Sequence, residues 1–282
     1  MTQTPIIAKT PEDIRAIVQK AHASNESVAF VPTMGALHEG HLSLIDFAKT
    51  KADRVIVSIF VNPTQFGEGE DFEDYPRTFE RDMNALASQS VDAIYAPTAS
   101  TMYPEGFATS IDIAGPALEL ETTFRPHFFG GVAIVVSKLL LSVLPDIAIF
   151  GEKDYQQLLV IKQMVRDLHI PCQIKGAPTL REPDGLAMSS RNAYLSETER
   201  PIAALLHETL KACAKDIKGG KPKDEALSKA VTKLESHGFE VDYVELRNAE
   251  NLKNVVDVKK EPLRLLAAAK LGKPRLIDNI SV

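Results

Sequence analysis

From residue 28 to residue 175 the chain repeats one pattern: a short apolar run, a polar break, then apolar positions at helical spacing. The runs at 28–31, 54–61 and 147–150 are rich in Val, Ile and Phe, and shorter ones stand at 91–96 and 172–175. The run at 54–61 is nearly continuous rather than alternating, which is the pattern of a strand covered on both faces. Helical spacing appears from Leu42 onward, at 78–87, 132–144 and 155–168, and an earlier helix opens at Thr10 or Pro11 with Glu12 and Asp13 in its first turn. Strands alternating with helices over roughly 180 residues predict a parallel sheet, since parallel neighbours need a crossover between them. The expected fold is therefore α/β, a Rossmann-like parallel sheet with helices on both faces. Residues 111–113 read as one further strand.

After about residue 180 the pattern changes. Helices are expected at 197–218 and 223–237, then strands at 241–246, 263–269 and 275–280, the last two joined by the turn Leu271-Gly-Lys-Pro274. Helices followed by strands suggest a separate α+β unit, so the chain is divided into residues 1–179 and a smaller C-terminal domain, 180–282. The 282 residues are ample for this. A net charge of −6 leaves no basic footprint for nucleic acid. Cys172 and Cys213 form no Cys-x-x-Cys pair. The longest apolar stretch, 132–144, is interrupted by Ser137, Lys138 and Ser142, and the first ten residues lack a signal-peptide core. The expected setting is the cytoplasm, away from membranes.

In such sheets ligands bind beyond the carboxyl ends of the strands. The break after residue 31 reads Pro32-Thr-Met34-Gly35-Ala36-Leu37-His38-Glu39-Gly40-His41, a tight turn feeding a helix. Free backbone N–H groups and the positive end of a helix dipole at one point suit an anion. The histidines are three apart and share a helix face. A lone histidine is more often a surface or core residue; two around a glycine at a strand-to-helix junction favour phosphate binding. The break after residue 61 brings Asn62 and Gln65, amides able to read a hydroxyl or carboxylate without adding charge. The break after residue 150 brings Gly151-Glu152-Lys153-Asp154 and then Gln157; Lys153 is a point charge suited to phosphate, and Asp154 serves equally well as a helix cap. Met188-Ser189-Ser190-Arg191-Asn192 groups two hydroxyls and a guanidinium. The acidic loop at 68–74 reads as a solvated connection. P-loop, Gly-x-Ser-x-Gly and Gly-x-Gly-x-x-Gly motifs are absent from the sequence.

Taken together, Val31-Pro-Thr-Met-Gly-Ala-Leu-His-Glu-Gly-His41, Phe60-Val-Asn-Pro-Thr-Gln-Phe-Gly67, Tyr75-Pro-Arg-Thr78, Phe150-Gly-Glu-Lys-Asp-Tyr-Gln-Gln157, Gly185-Leu-Ala-Met-Ser-Ser-Arg-Asn192 and Arg275-Leu-Ile-Asp-Asn279 resemble the signatures of the pantoate–β-alanine ligase family, in order and across nearly the whole chain. The resemblance implies ATP-dependent formation of pantothenate through a pantoyl adenylate, with AMP and pyrophosphate released. It implies ATP contacts at Met34, Gly35, Ala36, Leu37, His38, Glu39, Gly40, His41, Gly151, Glu152, Lys153, Asp154, Leu180, Met188, Ser189, Ser190 and Arg191. Gln65 and Gln157 would hold pantoate, Gln65 lying near β-alanine as well, with Asn62 in support. The residues implied to act on the developing charge are His41, His38, Lys153, Ser189, Ser190 and Arg191. Mg²⁺ is expected with ATP, with Asp82 as a possible protein contact, and the C-terminal domain is expected to help close over the adenylate. A homodimer is also implied.

One stretch departs from the family pattern. Where Arg-Pro-x-His-Phe-x-Gly-Val is usual, this chain reads Arg125-Pro-His-Phe-Phe-Gly-Gly-Val132, so His127 stands one place early and Phe128 occupies the histidine's place. Two other readings of the chain are a different nucleotidylyltransferase, whose phosphorylated acceptor would call for cationic rather than amide side chains, and a nucleotide-binding module without turnover.

Overall fold

The computed structural model describes residues 4–65, 67, 72–73 and 75–282; Phe66 and most of the acidic stretch at 68–74 lie outside the described residues, as do the first three. The chain divides into two compact units, Met1–Glu152 with Val160–Pro178, and Lys153–Leu159 with Thr179–Val282.

The first unit is built on six strands: β1 (Ile6–Ala8), β2 (Val28–Thr33), β3 (Arg54–Ile59), β4 (Ala93–Tyr95), β5 (Ile147–Gly151) and β6 (Gln173–Ala177). They lie side by side as β1-β4-β3-β2-β5-β6, and every pairing is parallel. The helices between them are α1 (Pro11–Ala23), α2 (Glu39–Lys49), α3 (Phe79–Ser88), the short α4 (Ala99–Met102) and α5 (Glu121–Phe124), α6 (Phe128–Val143) and α7 (Tyr155–Asp167). The start of α1 is set by a reciprocal cap: Thr10 Oγ1 accepts from the Asp13 amide, and Asp13 Oδ2 accepts from the Thr10 amide. Val31, Val57, Ile94 and Ile149 from the sheet pack with Ile45 and Ala48 of α2 and Leu86 of α3 into one core. α6 is apolar all round and almost wholly buried. From β2 the chain adds strands to one side through β3 and β4, then returns to pair β5 with β2 and continues to β6. The carboxyl ends of β2 and β5 therefore flank the point where strand order reverses, the place such sheets use for ligands.

The structure departs from the sequence expectation at three places here. β1 is an additional three-residue edge strand, too short to carry a periodic signal. Residues 111–113 pair with no strand among the described residues. α6 starts at Phe128 rather than Val132, so Gly130 and Gly131 lie inside its first turns instead of breaking the chain ahead of it.

The second unit contains α8 (Glu199–Ala203), α9 (Leu205–Lys218) and α10 (Lys223–Glu235), followed by an antiparallel sheet β7-β8-β9 formed by Glu240–Asn248, Leu263–Lys270 and Arg275–Ser281. The helix expected over 197–218 is two helices, broken at Ala204. Leu206, Leu210 and Ile217 of α9 and Leu234 of α10 pack on Leu246, Leu265, Ala267 and Leu276 of the sheet. Asp278 of β9 is buried within this unit; burial pushes its carboxyl upward, but hydrogen bonds from His207 and Arg181 outweigh that and hold it below the usual carboxylate range. No helix among the described residues is long and apolar enough to cross a membrane.

Candidate active site

In the first unit the segment from the end of β2 into α2 is held by its own side chains together with β3 and α3. Thr33 Oγ1 donates to the Ser58 carbonyl of β3 at 2.6 Å and accepts from the Gly35 amide at 3.2 Å. Gly35 and Ala36 then take positive φ of 80° and 50°, a conformation disfavoured for the alanine. Asp82 of α3 holds them there: its two oxygens accept from the Ala36 and Leu37 amides, both at 2.9 Å, and Thr78 Oγ1 donates to the same carboxylate. The carboxylate suggested as a Mg²⁺ contact is thus buried beneath the turn, with both oxygens already accepting from its backbone.

The histidines close the same segment. The Gly40 amide donates to His38 Nδ1 at 3.1 Å, and the His38 amide donates to His41 Nδ1 at 3.4 Å, a reciprocal cap made by two imidazoles. A ring nitrogen that accepts a backbone N–H carries no proton, so in both neutral rings the proton sits on Nε2. The rings lie 4.1 Å apart between centroids, half-buried at the start of α2. This corrects the expectation of free backbone N–H groups: those of Gly35, Ala36, Leu37, His38, Gly40 and His41 all have acceptors within the unit. In that tautomer each ring carries its donor on Nε2, at the positive end of the α2 dipole.

Asn62 is the second fixed point. It is 1% exposed, and its Nδ2 donates to Gln65 Oε1 and to the Gly131 carbonyl of α6 at 3.2 and 3.1 Å. Its Oδ1 accepts from Thr64 Oγ1 at 3.0 Å and from Tyr103 at 2.7 Å. Burial holds the Tyr103 phenol above its usual range, consistent with a standing donor. Gln65 Nε2 reaches Met34 Sδ at 2.8 Å, joining this cluster to the histidine turn, and Arg125 donates to the Gln65 carbonyl at 3.3 Å. The Arg125 guanidinium lies 3.9 Å from the centre of the Phe128 ring. The phenylalanine at the family's histidine position therefore packs against the neighbouring arginine, while His127 is exposed at the start of α6. Asn62 thus acts on Gln65, and Tyr103, Arg125 and Gly131 complete the surroundings. Sequence reasoning names Arg125 and Gly131 without giving either a role and passes over Tyr103, although a Gly-Gly pair beside an apolar helix is a signal for close backbone approach.

The remaining candidates lie beyond β5 and in the second unit. Gly151 ends β5, and Glu152-Lys153-Asp154 form a single 3₁₀ turn ahead of α7. Lys153 Nζ stands 3.8 Å from Asp154 Oδ1, and Gln157 is half-buried on the first turn of α7. Residues 180–188 fold back on themselves: the Met188 amide donates to the Leu180 carbonyl and the Glu182 amide to that of Leu186. Arg181 forms a forked pair with Asp278, both bonds 2.8 Å, and also donates to the Gly185 carbonyl at 3.0 Å. Ser189 Oγ accepts from the Arg191 amide, starting a 3₁₀ segment over Ser190–Tyr194. Ser189, Ser190 and Arg191 are half-buried.

Comparison with known proteins agrees with these features. The family model for pantoate-beta-alanine ligase matches residues 6–281. A pantothenate synthetase from Rhodopseudomonas palustris strain HaA2 is 52% identical over 283 aligned positions, covering 100% of both chains. A crystal structure of pantothenate synthetase from Thermus thermophilus superposes with a TM-score of 0.91 at 44% identity, covering 98% of each chain. A pantoate-beta-alanine ligase from Francisella tularensis, solved with beta-gamma ATP and beta-alanine, superposes with a TM-score of 0.83 at 38% identity over 98% of this chain and 97% of that one. On its motifs, its six-stranded parallel sheet and these full-length matches, the chain belongs to the pantoate–β-alanine ligase family.

Proposed function

We propose that this chain condenses pantoate with β-alanine in the cytoplasm through a pantoyl adenylate, using His38, His41, Lys153, Ser189, Ser190 and Arg191 to hold the phosphates of ATP. In the first step a pantoate carboxylate oxygen attacks the α-phosphorus, the bond to the β-phosphate oxygen breaks, and pyrophosphate leaves. In the second the β-alanine amine attacks the acyl carbon, the acyl–oxygen bond to AMP breaks, and the amine proton is lost. Negative charge grows on phosphate oxygens in the first step, and fixed donors aimed at them stabilise it without reorganising. The observation that carries the reading is the imidazole cap, in which both Nδ1 atoms accept from backbone amides at the start of α2. Met34–His41, Gly151–Asp154, Leu180 and Met188 are assigned to the nucleotide. Gln65 and Gln157 are assigned to pantoate, with Asn62 fixing Gln65; neutral amides fit an acid that is to be activated, where cations would stabilise its carboxylate. Mg²⁺, if bound with ATP, would be held by the substrate rather than by Asp82, and would offset phosphate charge.

Mixing the protein with MgATP, pantoate and β-alanine is expected to yield pantothenate, AMP and pyrophosphate in equal amounts. Leaving out β-alanine should still allow pantoate-dependent exchange of pyrophosphate into ATP, and chelating Mg²⁺ should stop both. Turnover to ADP, or exchange that ignores pantoate, would overturn the adenylate route.

The homodimer is also proposed. Its support is the family resemblance. Sedimentation velocity is expected to report twice the 30.9 kDa chain mass. A single species at the chain mass across micromolar concentrations would refute it.

A further inference from the structure

The second unit contains a contact that links its last strand to Lys153. Adjacent residues of a strand face opposite ways. On β9, Asp278 and Asn279 use this to grip two different segments. Asp278 takes Arg181, whose segment leads into Met188 and the Ser189–Arg191 group. Asn279 turns the other way: its Nδ2 donates to the Lys153 carbonyl at 2.8 Å, and its Oδ1 accepts from Arg264 Nε at 2.6 Å. Arg264 itself lies 4.0 Å from the centre of the Tyr155 ring, and the Tyr155 hydroxyl donates to the Ala249 carbonyl at 2.9 Å. Asn279 is 4% exposed, so its amide is shielded from water.

Lys153 sits in a 3₁₀ turn, whose backbone hydrogen bonds have poorer geometry than those of an α-helix. The direction of its side chain follows from its backbone, and the Lys153 carbonyl accepts from the buried Asn279 amide. An amide at this position can do what a carboxylate cannot: donate to the carbonyl while its oxygen accepts from the arginine. We infer that Asn279 is a positioning residue for adenylate formation, acting through the backbone of Lys153 to aim its ammonium at the phosphates of ATP. This rests on the assignment of Lys153 to the nucleotide made above.

The test uses the full chain and pantoate-dependent exchange of pyrophosphate into ATP, which reads the first step alone. Asn279→Asp keeps the shape, removes the donor and sets an oxygen against the Lys153 carbonyl. It is expected to slow exchange by about 10–100-fold at saturating ATP, the scale of a displaced catalytic group, while the KM for pantoate stays put. The decisive comparison is with Lys153→Met and the double variant. If Asn279 works through Lys153, the double variant exchanges no more slowly than Lys153→Met alone. Asn279→Ser, whose hydroxyl is too short to span the gap, is expected to behave like Asn279→Asp and stands in for it should the added charge prevent folding. Multiplying losses, or a variant at the parental exchange rate, would overturn the inference while leaving the function intact. An unaffected Lys153→Met would instead reject the assignment of Lys153 on which it rests.

Discussion

Replacing His41 by alanine is expected to lower the rate of pyrophosphate release from ATP and pantoate by about 100-fold or more, the scale of losing one preorganised donor. His41 does two jobs that alanine cannot do. Its Nδ1 accepts the His38 amide at 3.4 Å, and that bond fixes the proton on Nε2. Removing the ring loses one donor, leaves the His38 amide without its acceptor and loosens the start of α2. His41→Gln separates the two jobs. A glutamine at this position is a normal partner in a reciprocal helix cap, so the fold should hold while the donor is displaced. The alanine variant should therefore lose both rate and some thermal stability, and the glutamine variant mainly rate. Rapid-quench measurement of pyrophosphate, beside melting curves, checks this; an alanine variant that releases pyrophosphate at the parental rate would dismiss the role given to His41.

The second large effect belongs to a residue with no side chain. A Cβ on Gly131 would collide with the Thr64 carbonyl oxygen and stand 2.6 Å from the Thr64 carbonyl carbon and 2.8 Å from the Gln65 nitrogen. Neither neighbour is a flexible side-chain end, so backbone must move. Gly131→Ala is expected to cost about 1–3 kcal/mol, the range for forced overpacking, and to lower the melting temperature by roughly 5 °C. The displaced segment carries Gln65, and the Gly131 carbonyl also accepts from Asn62. The KM for pantoate should therefore rise by about tenfold or more, whereas the fit to ATP changes little. An alanine variant with the parental melting curve and pantoate KM would show that the contact yields at no cost.

The strands of the first unit were legible because their physical signal is local. Runs such as Val55-Ile-Val57 are apolar on both faces, and such runs occur in covered parallel sheets. The helix start at Thr10 or Pro11 and the histidine turn were legible for the same reason, since each is written within a few consecutive residues. β1 was missed because three residues hold no period. The start of α6 was misplaced because Gly130 and Gly131 read as a break, and only the fold shows the backbone of Thr64 lying where a side chain would be. Asp82 illustrates a further limit. The resemblance offers it as a possible Mg²⁺ contact, but the Ala36 and Leu37 amides that it accepts from lie 46 and 45 residues away along the chain, and no local pattern encodes that. The same holds for Tyr103 and Arg125, which reach Asn62 and Gln65 from distant sequence.

The seven residues Lys153–Leu159 belong with the second unit although the chain on either side belongs with the first. No single cut can therefore separate the two units. A polypeptide stopped after Pro178 would carry Lys153 and Tyr155 but neither the Asn279 amide that holds the one nor the Ala249 carbonyl that receives the other. On the ribosome Lys153 is made well before β9, which supplies the amide on its carbonyl. A frameshift or protease nick within β9 would thus remove the Lys153 contact directly, with the six-stranded sheet still complete in sequence.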